Sequence, residues 1–117
     1  MSRRLGLAFA FALASSQAFA HAHLKTASPA DGATVAPPSE IILGFTEELE
    51  VKLSSIAVKS AGGETVSTAP AEAVPGDRKA LKVLLKTVPP GAYTVEWAAT
   101  SVDTHRVTGQ YRFTVRP

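Results

Sequence analysis

Short apolar runs broken by clusters of proline, glycine and aspartate constrain this chain more than any other feature of its sequence. The clusters are Pro29-Ala30-Asp31-Gly32, Pro37-Pro38, Ala61-Gly62-Gly63, Pro75-Gly76-Asp77 and Pro89-Pro90-Gly91. Each marks a turn that a long helix would not cross. Between them the sequence predicts strands over 23–28, 40–45, 54–59, 64–68, 80–85, 92–100 and 110–116. Period-two alternation is clear in Leu81/Val83/Leu85, Tyr93/Val95/Trp97/Ala99 and Tyr111/Phe113/Val115, and these sets are expected to face a core. Tyr93 and Trp97 fall in register on one strand face, so they read as packing and not as a platform for stacking sugars.

About seven short strands in roughly a hundred residues is the pattern of an all-β, immunoglobulin-like sandwich, with a small closed barrel as the alternative. The first twenty residues stand outside it. Arg3 and Arg4 precede an almost wholly apolar stretch, Leu5 to Leu13, and Ala18-Phe19-Ala20 forms an A-x-A cleavage site. This is the pattern of a secretory signal peptide, and the apolar stretch is short for a membrane span. Residues 1–20 are therefore expected to be removed, leaving 21–117 as one domain. Loss of Arg3 and Arg4 leaves ten basic side chains against ten acidic ones, which gives no electrostatic case for nucleic acid.

The sequence contains no cysteine, although export leads to an oxidising compartment, so stability has to come from packing. Its one methionine, Met1, leaves with the signal peptide. Thiolate and thioether are thus absent from any metal site in the processed chain. The remaining donors are few: three His, three Asp (at positions 31, 77 and 103) and seven Glu.

Cleavage after Ala20 would place His21 at a free amino terminus, where its α-amine and its own Nδ1 close a six-membered chelate ring around a metal. His21 and His23, two apart on the predicted first strand, share one side of it. Asp103 and His105 are also two apart, between the Trp97 strand and the last strand. In a sandwich the start of the first strand can lie near that connection. An amine, two imidazoles and a carboxylate make an N/O set suited to tetragonal Cu(II), which also tops the divalent affinity order. Zinc stays open as an alternative, though it favours tetrahedral sites often built with sulfur. Imidazole and amine must both lose protons to coordinate, so binding is expected to weaken on acidification.

These residues carry a resemblance that covers essentially the whole processed sequence. His21-Ala22-His23-Leu24-Lys25, Ser28-Pro29-Ala30-Asp31-Gly32, Phe45-Thr46-Glu47, Pro90-Gly91-Ala92-Tyr93-Thr94-Val95-Glu96-Trp97 and Ser101-Val102-Asp103-Thr104-His105, followed by Thr108-Gly109, occur in this order. In them the chain resembles the periplasmic copper-binding proteins of the CopC type, found in bacterial copper-resistance and copper-uptake systems. The resemblance implies a cupredoxin-like or immunoglobulin-like Greek-key sandwich in which His21, Asp103 and His105 hold Cu(II). It also implies that Glu47 lies close to that site, as an occasional ligand or as an acceptor for the amine or a bound water. Read from the sequence alone, Glu47, Glu48 and Glu50 are an acidic run on a solvated turn. Some relatives carry a methionine-rich Cu(I) site in the middle of the chain; residues 60–74 here contain neither Met nor His.

His23 has two readings. At the third position of the processed chain it could bind Cu(II) together with the amine and two deprotonated backbone amides, but a folded strand competes for those amides, which favours a supporting role. The expected function is that of a monomeric, non-catalytic periplasmic Cu(II)-binding protein that sequesters the ion or delivers it to a membrane transporter of the CopD type, a partner implied by the resemblance alone. A copper oxygenase built on a histidine brace and a metal-free sandwich interaction module are the alternatives. The first would need an extended substrate face, and the second would make the D-x-H triplet incidental.

Overall fold

The computed structural model describes residues 21–117; the expected signal peptide and its cleavage site lie outside the described residues. The described residues form eight strands: β1 (Leu24–Ser28), β2 (Thr34–Val35), β3 (Glu40–Phe45), β4 (Ser55–Ser60), β5 (Glu72–Val74), β6 (Asp77–Leu84), β7 (Gly91–Thr100) and β8 (Arg106–Val115). One 3-10 turn, Val51–Leu53, precedes β4. The strands make two four-stranded sheets in the orders β1-β3-β6-β5 and β2-β8-β7-β4. Neighbours are antiparallel except β2 and β8. The pairs β5–β6 and β7–β8 are hairpins, while the other connections cross from one sheet to the other. The molecule is a β-sandwich, as the strand pattern predicts.

Alternation decides which side chains fill the space between the sheets. Ile41, Leu43 and Phe45 of β3, Leu81 and Val83 of β6, Tyr93, Val95, Trp97 and Ala99 of β7, and Tyr111, Phe113 and Val115 of β8 are all buried. Leu85, just beyond β6, is partly buried against the same cluster. Burying an aliphatic or aromatic side chain of this kind contributes roughly 1.5–3 kcal/mol, so without disulfides the core carries the fold. Phe45 meets Trp97 edge-on across the two sheets, with ring centroids 5.2 Å apart, and Tyr93 stacks on Phe113 at 5.6 Å. The two phenols keep their hydroxyls satisfied: Tyr93 donates to the Pro89 carbonyl and Tyr111 to that of Pro29. Burial pushes the Tyr111 phenol up to about 12, with the nearby Asp31 charge adding to the effect.

Two expectations need correction. Residues 64–68 form no strand but a link between the sheets. Val66 donates its N–H to Val58 of β4 and accepts from Lys86, while Thr68 donates to Leu84 of β6. Only isolated bridges result, although Val66 is buried as a strand residue would be. The two shortest strands, β2 and β5, have no alternating apolar pattern and were not expected; each is held by its neighbour's ladder.

Candidate metal centre

Three backbone segments meet at one end of the sandwich. The first is the stretch before β1. Ala22 is fully buried in the core, so the flanking side chains of His21 and His23 lie on the other side of the chain, half-buried and exposed respectively. Their rings are 6.4 Å apart. Both histidines precede the strand that was expected to contain them, but the alternation assumed for them holds.

The second segment, residues 46–50, continues from β3. Thr46 grips the histidine segment on both sides: its N–H donates to the His23 carbonyl at 3.0 Å, and its Oγ1 accepts from the His23 N–H at 3.0 Å. The same hydroxyl donates to the His21 carbonyl at 3.4 Å. Farther along, Glu50 donates its N–H to Thr100, and the Glu48 carbonyl accepts from Val102. The stretch therefore ties the amino-terminal segment of one sheet to the β7–β8 turn of the other. Glu47 follows Thr46 and is half-buried; Glu48 and Glu50 are exposed, and Glu48 pairs with Arg78 at 3.6 Å.

The third segment is the β7–β8 turn, Ser101 to His105. Ser101 donates its N–H to the His105 carbonyl and accepts from Thr104 N–H, which closes the turn. Thr104 stands at φ 71°, a left-handed conformation that a β-branched residue rarely adopts. This places Asp103 and His105 side by side. The His105 backbone N–H donates to Asp103 Oδ1 at 3.4 Å, and His105 Nδ1 lies 3.2 Å from the same oxygen. The second contact is attractive when Nδ1 carries the proton, which leaves Nε2 as the basic nitrogen of the ring. The buried Ser101 hydroxyl also donates to Asp103 Oδ1. That bond, and then the one from His105, hold the Asp103 carboxyl below the usual carboxylate range.

The rings of His21 and His105 end with centroids 4.9 Å apart. Of the residues singled out in the sequence, His21, His23, Asp103 and His105 gather at this end. Among the described residues no group of three or more His, Asp or Glu side chains stands ready-made around a metal position. The donor set suits a borderline metal that accepts nitrogen and oxygen. Sequence reasoning assigned no role to Thr46 or Ser101. A serine two residues before an aspartate in a turn was the available signal for Ser101, whereas the Thr46 contacts span the sheet and leave no local trace.

Comparison with known proteins identifies the family and supports the fold. The family model described as the CopC domain matches residues 24–116. Copper resistance protein C of Xanthomonas campestris pv. juglandis is 40% identical over 113 residues, covering 92% of this chain and 89% of that protein. Protein YobA of Escherichia coli (strain K12) is 40% identical over 100 residues, 84% of this chain and 81% of its own. The crystal structure of CopC from Methylosinus trichosporium OB3b superposes with a TM-score of 0.78 at 32% identity, covering 83% of this chain and 95% of that one.

Proposed function

The chain belongs to the CopC domain family, and from that premise we propose that it is an exported, non-catalytic carrier of Cu(II) whose site is completed when cleavage after Ala20 frees the His21 amine. Copper is its cargo. The His21 amine and ring, His105 through Nε2 and the Asp103 carboxylate supply nitrogen and oxygen donors. Glu47, which follows Thr46 in the chain, and His23, whose ring lies 6.4 Å from that of His21, are assigned supporting roles. The observation that carries this reading is the approach of the His21 and His105 rings to 4.9 Å, from segments far apart in the sequence and flanking different sheets.

The donor chemistry selects the oxidised ion. With no Cys in the chain and Met1 in the segment to be removed, the processed protein has none of the soft sulfur ligands that favour Cu(I). The aromatic side chains argue for a carrier over a polysaccharide oxygenase: Phe45, Tyr93, Trp97, Tyr111 and Phe113 are all buried, so none lies exposed to stack a sugar. The protein acts in the periplasm as a monomer, holding copper in reserve or passing it to an inner-membrane transporter of the CopD type.

The test is to purify the processed protein from the periplasm, sequence its amino terminus and measure bound metal by elemental analysis. The expected result is a chain starting at His21 that takes up one equivalent of Cu(II), with a nitrogen-rich electron paramagnetic resonance spectrum. A different amino terminus, or no stoichiometric copper after exposure to the ion, would refute the reading.

A further inference from the structure

Ser101 is 1% exposed, and its hydroxyl donates to a carboxylate whose side chain is 45% exposed. A buried hydroxyl needs a partner, and a neutral one was at hand: the His105 carbonyl lies 3.2 Å from Ser101 Oγ. The hydroxyl reaches both acceptors, and the bond to the charged one is the stronger. The turn itself does not need this contact. Its closure comes from backbone bonds between Ser101 and His105 and between Thr104 and Ser101, and from the pairing of Thr100 with Arg106. The bond from Ser101 to Asp103 therefore orients the carboxylate, while backbone bonds close the loop.

We propose that Ser101 is a positioning residue of the copper site, acting through Asp103. This rests on the copper reading given above. With Oδ1 committed to the Ser101 hydroxyl and to the His105 N–H, the carboxylate cannot swing freely into water, and Oδ2 would be the oxygen left for a metal. The same Oδ1 steadies the His105 ring at Nδ1, so one buried hydroxyl sets the orientation of two ligands. Groups that orient metal ligands in this way typically matter 10–100-fold in affinity.

The experiment uses the processed chain as wild type, Ser101→Ala, Asp103→Ala and the double variant, with Cu(II) itself as the probe. In copper-free wild type, side-chain NMR couplings are expected to show a single Asp103 rotamer; averaging over rotamers there would overturn the proposal without any variant. Ser101→Ala is expected to lower Cu(II) affinity about tenfold, to alter the resonance spectrum of the bound ion, and to add nothing in the Asp103→Ala background. An equal loss in that background would show that Ser101 does not act through Asp103. Wild type that fails to bind Cu(II) refutes the copper reading itself, whereas wild type that binds, with Ser101→Ala indistinguishable from it, refutes only the role of Ser101.

Discussion

Asp103 and His105 sit in the same turn but have unequal tasks in the proposed copper site. An imidazole nitrogen is the stronger donor to Cu(II), while a carboxylate adds charge neutralisation that a water can partly replace. His105→Ala is therefore expected to lower copper affinity more than Asp103→Ala in a competitive titration, and the reverse order would contradict the assignment. The same turn affects the copper-free protein. Ser101 first, then His105, stabilise the ionised Asp103 carboxyl, so its native pKa lies below that of the unfolded chain. A depressed carboxyl contributes stability that is complete above the unfolded value and is lost as pH falls through the native one. Denaturation of the copper-free protein should show this on its acid side, below about pH 4. Asp103→Asn should give a shallower acid limb, and an unchanged limb would mean that the carboxyl is not held.

Among the elements, the long hairpin and its partners were the most legible in the sequence. Every second residue of β7 and β8 is apolar, the period of a strand with one buried face. Gly109 breaks that series for a reason visible only in the fold. It pairs with Trp97, and a Cβ at Gly109 would lie 2.4 Å from the indole Cζ2. Gly109→Ala must displace the Trp97 ring from its contact with Phe45, at a cost of about 1–3 kcal/mol. Urea denaturation followed by tryptophan fluorescence checks this; wild-type stability with an unshifted spectrum would contradict it. The illegible elements are those fixed by partners. Residues 64–68 have strand composition but bond to both sheets, whereas β2 and β5 have weak composition but adjoin strong ladders. Segment 46–50 belongs with these: its acidic residues advertise a solvated turn, while its backbone joins two sheets. Thr46→Val keeps the shape but removes the hydroxyl that serves His21 and His23. A loss of about 1 kcal/mol in stability, with a larger proportional loss in copper affinity, is expected from thermal unfolding and copper titration. Unchanged affinity would show that the clamp does not hold the histidines in place.

At the scale of the whole molecule, the candidate donors could be named from the sequence because metal ligation restricts residue types so severely, and this chain has only three histidines. Their meeting was implied by the family resemblance but could not be derived from the residues themselves. It depends on Ala22 entering the core, on Thr46 pairing with the segment that follows it, and on the β7–β8 turn lying at the same end of the sandwich. The fold thus brings the His21 ring beside that of His105, and the proposed cleavage after Ala20 would give His21 the free amine that completes the chelate. The most direct test of this account is a competitive Cu(II) titration of two forms of the protein, one starting at His21 and one carrying a single glycine before it. The account predicts the same thermal stability for both copper-free forms, with affinity more than tenfold weaker in the extended one, a difference above about 1.4 kcal/mol. Equal affinities would contradict it.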